Sequence, residues 1–139
     1  MRRTGLLLVL IGAAAAAGCQ TGRATGELLV SAGARVVDVP VPVHFARSDH
    51  RSFDHIGPSE IIVHHVYHAF NVSRTSVTAF YRKQMPVAGW RPIGELEVSG
   101  RRLMAFDRGD EKCLIHIKKK FFLLTIIKIE VVGRPSGST

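Results

Sequence analysis

The sequence predicts an α+β fold, with one amphipathic helix packed on a mostly antiparallel sheet of four to five strands in the order β-β-α-β-β-β-β. Three observations carry that prediction. A ten-residue run dense in β-branched and aromatic side chains, IIVHHVYHAF from Ile61 to Phe70, has the composition of a strand. In residues 73–85 (SRTSVTAFYRKQM) the period changes, and Val77, Phe80, Tyr81, Gln84 and Met85 recur at spacings of three and four. From residue 90 to residue 132, short alternating runs are separated by Gly-containing turns, as in a meander of hairpins. A sheet with one apolar face needs a cover, and the helix is the only long one present.

The first nineteen residues, MRRTGLLLVLIGAAAAAGC, combine a positive start, an apolar segment and a small-residue exit. That is the pattern of a secretory signal. Ala16-Ala17-Gly18-Cys19 resembles the lipobox of bacterial lipoproteins. The resemblance implies that Cys19 receives a diacylglycerol, that the chain is cut before it, and that its new amino group is acylated. Two alternatives are weaker. The apolar stretch 6–18 has 13 residues, whereas roughly 20 are needed to cross the hydrocarbon layer, which disfavours an uncleaved anchor. An ordinary signal peptide cut at Ala17 would leave Cys19 as an exported free thiol.

Residues 1–18 are therefore expected to be a signal peptide, 19–35 a lipidated cysteine with a flexible tether, 36–134 one domain and 135–139 a disordered tail. The tether reading rests on the small and polar composition of residues 20–30. In lipoproteins of bacteria with two membranes, an Asp after the lipidated cysteine favours inner-membrane retention. Gln20 thus points to the outer membrane, facing the periplasm.

Pro40 and Pro42 cannot both donate to a central ladder, so residues 35–43 are expected to be an extended approach or an edge. Phe45 and Phe53 flank a polar stretch that reads as a short strand followed by a loop. In Ile61–Phe70, alternation puts Ile62, His64, Val66, His68 and Phe70 on one face and Ile61, Val63, His65, Tyr67 and Ala69 on the other. Asn71 or Ser73 is expected to cap the helix, and Pro86 to stop it. Thr78, Arg82 and Lys83 fall away from its apolar stripe. Residues 90–98, 101–108, 111–119 and 122–132 are the predicted later strands, with turns at Ser99-Gly100 and Gly109-Asp110. Cys113, Ile115 and Ile117 face inward, as do Thr125, Ile127, Ile129 and Val131. Val77, Phe80, Tyr81, Met85 and Trp90 are expected to fill the space between helix and sheet, each large side chain stabilising the fold by about 1.5–3 kcal/mol.

Phe80-Tyr81-Arg82, Met85-Pro86 and Gly89-Trp90, followed by Leu103, Phe106, Arg108, Gly109, Glu111 and the strand through Ile117, resemble a motif of small bacterial lipoproteins and exported proteins. Many of these come from planctomycete-type bacteria, and they share an FYRxxMPxxGW pattern. The likeness spans roughly residues 43–132. The function of that group is unknown, so the resemblance implies architecture and carries over no catalytic residue.

The chain of 139 residues has a formal net charge of +8, which falls to +6 once the two arginines of residues 1–18 are removed. A basic exported domain is drawn to anionic lipid or to other polyanions, while nucleic acid is excluded as a partner by export. Lys118-Lys119-Lys120 followed by Phe121-Phe122 is the best candidate for a surface interaction, three cations beside two rings suiting anionic headgroups. The plainer reading, favoured by sequence alone, is a basic turn whose phenylalanines enter the core. Cys113 has no partner once Cys19 is committed to lipid, and reads as a buried, inert thiol.

The seven histidines invite a metal reading. His64 and His68 share a face, but four strand residues separate them by about 13 Å, too far to grip one ion directly. A site would need His116 or another histidine to converge with one of them, so the three are weak candidates and no cofactor is expected. Asp49, Asp54 and Glu60 lie near histidines without special spacing and read as solvated. Gly-rich phosphate loops, Cys-x-x-Cys and His-Glu-x-x-His are absent from the sequence. The expectation is a membrane-tethered structural or interaction module of the cell envelope, with an envelope protein or anionic polymer as partner. A histidine-based metal binder and a small hydrolase are the alternatives.

Overall fold

The computed structural model describes residues 27–31 and 38–134. The expected signal peptide, Cys19, residues 20–26 and 32–37, and the tail 135–139 lie outside the described residues. The elements are β1 (Ala46–Arg47), a 3-10 turn (Asp49–Arg51), β2 (Phe53–Ile56), β3 (Ile61–Phe70), α1 (Arg74–Val87), β4 (Arg91–Val98), β5 (Arg101–Arg108), β6 (Glu111–Lys120) and β7 (Leu124–Gly133).

All strand pairs are antiparallel, in the order β1-β3-β7-β6-β5-β4, and β2 also pairs with β3. The sheet thus has seven strands, more than the four to five expected, and three of them precede the helix rather than two. The extra strands are the short pieces β1 and β2, which share the outer edge of β3 on either side of the 3-10 turn. Two and four residues are too few to show a period, and strands this short are a usual way to blunt a sheet edge. The helix crosses from β3 to the far edge at β4, and the meander returns β7 to the side of β3.

The core lies on the helix side of the sheet. Ile61, Val63, Tyr67 and Ala69 of β3 are buried there, as are Ile127, Ile129 and Val131 of β7, Cys113, Ile115 and Ile117 of β6, and Met104 and Phe106 of β5. From the helix come Val77, Phe80, Tyr81 and Met85, with Trp90 just beyond it. Thr78, expected outside the stripe, is also buried, because its hydroxyl donates to the Arg74 carbonyl at 2.9 Å and so loses its need for water. Every residue of β4 is exposed, and its helix-side face is covered by ion pairs. Arg82 and Arg102 grip Glu95, while Arg102 and Arg74 grip Glu97.

Ser73 caps the helix, its hydroxyl accepting from the Ser76 amide at 3.0 Å. Pro86 does not stop it. The helix runs through Pro86 to Val87 and ends at Ala88. The steric bias on the residue before a proline is outweighed here because Met85 is anchored in the core. The stop comes from Gly89, at φ +85, a conformation that a Cβ disfavours. The Gly89 amide donates to the Pro86 carbonyl at 3.0 Å and the Trp90 amide to that of Met85 at 2.9 Å, closing the open helix end.

The described end of the expected tether packs on the domain. Ser31 donates to Val41 and Val43 to Leu29, at 2.7 and 2.8 Å, with Pro42 opposite Val30. Leu28 and Val30 rest against the core, where Val39 and Val41 are fully buried. The two prolines are thus accommodated in an extended edge, as their missing donors require.

Candidate functional site

Among the described residues, the face of the sheet away from the helix has no covering element other than the loop at residues 48–52. Register builds its chemistry. Arg101, Lys118, Ile126 and His68 form one row across β5, β6, β7 and β3. The next row is Leu103, His116, Lys128 and Val66, and the third is Ala105, Leu114, Glu130 and His64. One cationic pair, Arg101 with Lys118, therefore stands directly opposite, and Lys128 stands opposite His116. Like charges so placed destabilise a sheet.

The loop at residues 48–52 is pinned over the same spot. Ser48 donates to the Val66 carbonyl at 2.8 Å, and the Val66 amide donates to the Ser52 hydroxyl at 3.0 Å, which brings Arg51 to the rim. Arg51, Arg101, Lys118, Lys128 and His116 surround a depression of about 260 Å³ floored by Val66 and Ile126. Among the described residues a single carboxylate, Glu130, reaches this cluster, bonding His116 at 2.8 Å and Lys128 at 3.2 Å. Arg51, Arg101 and Lys118 form no ion pair among the described residues.

Electrostatics follow from that crowding. Burial, and then the Lys128 charge, hold His116 below the ordinary histidine range against the opposing pull of Glu130. Burial alone would raise Glu130, but the hydrogen bond and charge of Lys128, with His116, outweigh it and lower the carboxyl. The depression is thus an apolar floor ringed by four cationic side chains and a histidine whose charged form an incoming anion would favour. A wider hollow of about 770 Å³ at the other end of the sheet mixes Glu60 and Asp110 with Lys112 and Arg134 and has no such single-sign character.

The weak metal candidates separate. His64 stacks on Phe53 with ring centres 5.2 Å apart and reaches Glu130 at 3.3 Å, so it shares that carboxylate with His116. His68 lies two rows from His64 and does not join them. Among the described residues, no three of His, Cys, Asp and Glu are placed to hold a metal ion.

Asp54, read as solvated from sequence, bonds the Nε2 of His65, whose Nδ1 lies 3.2 Å from the Tyr67 hydroxyl. His65 and Tyr67 are buried. Burial, above all, lowers His65 against the pull of Asp54 and pushes the Tyr67 hydroxyl up to about 12. This chain ties the edge strand β2 to β3. Glu60 stands 3.6 Å from His55, and Asp49 3.2 Å from Arg47, both at exposed positions.

Lys118 belongs to the basic depression, whereas Lys119, Lys120 and Phe121 lie beyond it towards the β6–β7 turn. The phenylalanines do not enter the core, contrary to the plainer sequence reading. Phe121 is 80% and Phe122 92% exposed, because the three-residue turn at 121–123 carries them past the end of the sheet. The Lys120 ammonium lies 5.5 Å from the centre of the Phe121 ring.

Phe80, Tyr81, Met85, Pro86, Gly89 and Trp90 lie at the helix terminus. Phe80 and Tyr81 meet edge to face at 5.1 Å, and Met85, Pro86, Gly89 and Trp90 build the stop described above. The second half of the motif packs on the first, with the Arg108 guanidinium 4.4 Å from the centre of the Trp90 ring. Cys113 is buried in the core, and burial pushes its thiol up to about 12. Arg51 and Lys128 were not singled out by the sequence, and Arg101 stood out only as part of the basic pair Arg101-Arg102. The Arg101–Lys118 pair follows from counting back along the hairpin from Gly109-Asp110, but Arg51 comes from a loop that has no such rule. No protein-family model, curated protein or solved structure gives a significant match to this chain.

Proposed function

We propose that this protein is an interaction module of the bacterial cell envelope, tethered through an acylated Cys19, whose open sheet face binds an anionic envelope polymer. The observation that supports the binding half is the cationic depression, where Arg51, Arg101 and Lys118 stand without ion pairs among the described residues, beside His116 and Lys128. A fold gains nothing from like charges set opposite one another, whereas a ligand carrying several negative groups gains from each. The apolar floor suits a polymer that presents carbon between its charges. The lipobox resemblance supports the tether.

Binding is tested by titrating the protein with inorganic polyphosphate and, separately, with dextran sulfate. The double variant Arg101→Ser, Lys118→Ser is expected to lose most of the affinity, while Lys112→Ser, at the other end of the same face, retains it. Equal loss from both variants would mean that only overall charge matters, and the reading fails. Mass spectrometry of the native protein tests the tether independently through the mass of its first residue.

A further inference from the structure

The end of the sheet beyond the basic depression has a second character. Phe121, Phe122 and Leu123 are exposed by 80, 92 and 57%, and Phe70, at the end of the neighbouring strand, by 66%. Register sets Phe70 beside the turn that carries the other three. Phe70 stands opposite Leu124, which stands opposite Lys120, and the Asn71 amide donates to the Leu123 carbonyl at 2.9 Å. Lys119 and Lys120 flank the rings and are themselves exposed. The nearest carboxylate on the adjoining hairpin, Glu97, is already gripped by Arg74 and Arg102 at 2.8 and 2.7 Å. An apolar tip ringed by cations complements a surface whose outer layer is anionic and whose interior is hydrocarbon.

We infer that the β6–β7 tip is a second membrane contact, seating Phe121, Phe122 and Leu123 in the interfacial layer of an anionic bilayer while Lys119 and Lys120 meet its headgroups. Chain length permits this. Cys19 and Glu27 are eight residues apart, which span at most about 29 Å. Glu27 is held by Lys83 on the helix, about 14 Å along the axis from Arg74. Arg74 in turn bonds the Gly100 carbonyl at the tip end of the sheet, at 2.6 Å. This length argument rests on the proposed anchoring at Cys19, but the surface itself does not.

The test uses the full chain with Phe122→Trp, a position that touches nothing in the core, while the native Trp90 is 1% exposed and stays silent. With vesicles of phosphatidylglycerol and phosphatidylethanolamine, the new indole is expected to shift its emission to the blue and to be quenched by brominated acyl chains. Vesicles of phosphatidylcholine alone should leave it unchanged. Lys119→Ser with Lys120→Ser should weaken insertion about thirtyfold. Three results would overturn the inference: no shift on anionic vesicles, an equal shift with soluble polyphosphate, or a shift that appears without lipid as protein concentration rises, which would identify a second copy of the chain as the occupant. Failure of acylation at Cys19 would be seen by mass spectrometry and leaves this readout intact.

Discussion

Replacing Lys118 with Gln should make the domain more stable and a worse binder of polyanions, an opposed pair of effects that a merely structural lysine would not produce. Lys118 faces Arg101 directly across β5–β6 and Lys128 diagonally across β6–β7. Cβ atoms of directly opposed residues lie about 5 Å apart, and long side chains splay their charges to roughly 6–8 Å. At that separation two unit charges repel by about 0.5–0.7 kcal/mol in water, and by more where the half-buried Lys118 feels a lower dielectric. Removing the charge should therefore gain about 0.5–1 kcal/mol, or about 2–6 °C in melting temperature for a domain of this size. Thermal unfolding followed by circular dichroism reads the gain. It should be largest at about 0.02 M salt and nearly vanish at about 0.5 M, where the screening length falls below the spacing of the charges. In the same low-salt buffer, polyphosphate affinity should fall roughly three- to fivefold. Gln keeps the stem as far as Cδ and a polar, hydrogen-bonding end, so charge is the main variable. A variant less stable than the parent at low salt, or one that binds polyphosphate equally well, would refute the reasoning.

Three further outcomes follow from the same structure. His116 and His65 are both held below their ordinary value by burial, so the folded chain binds their protons less readily than the unfolded one. Their contribution to stability is whole above about pH 6.5 and is lost as pH falls through the folded values, a loss that denaturant titrations at about pH 5.5 and about pH 7.5 should show and that His116→Gln should reduce. By linkage, polyphosphate should raise the His116 pKa, measured by NMR, and bind more tightly at the lower pH. Gly89→Ala should cost about 1–2 kcal/mol by urea unfolding, all of it backbone, since the added Cβ would meet only Arg108 Cδ at 3.8 Å while φ stays at +85. Cys113 should resist thiol reagents in the folded state and react once the chain unfolds, and labelling at a native rate above that of unfolding would contradict its burial.

The fold was legible where residues repeat. Ile61–Phe70 has the span expected for β3, and Arg101–Arg108 that expected for β5, because alternation and Gly turns fix both pattern and ends. The inward faces of β3, β6 and β7 follow from the same period. What escaped was short or was decided by tertiary contacts. β1 and β2 have no period to read, Pro86 is carried inside the helix by the anchoring of Met85, and Phe121 and Phe122 are hydrophobic residues whose exposure depends on turn length rather than identity. Of the site, His116, Lys118 and the basic pair containing Arg101 were visible beforehand, but not as one cluster. Arg101 and Lys128 become neighbours through register, and Arg51 through two hydrogen bonds from its loop to Val66.

The unpaired cations of the open face do not reflect a shortage of acids. Eleven carboxylate side chains are available, and on the helix side they are matched with care. Glu95 and Glu97 alternate with Arg82, Arg102 and Arg74 in a continuous network, and Glu111 with Asp38 takes Arg108; on the open face, two rows beyond Leu103, Asp107 takes Arg91 with two hydrogen bonds. Even the described end of the tether sends Glu27 to Lys83. Against that background the depression receives one carboxylate for five basic side chains, in rows where a single Glu at position 101 or 118 would convert repulsion into a cross-strand pair. A sheet under selection for stability alone would accept that change. In the proposed function a ligand supplies that negative charge from outside, so stability and polyanion affinity are expected to move in opposite directions at Lys118.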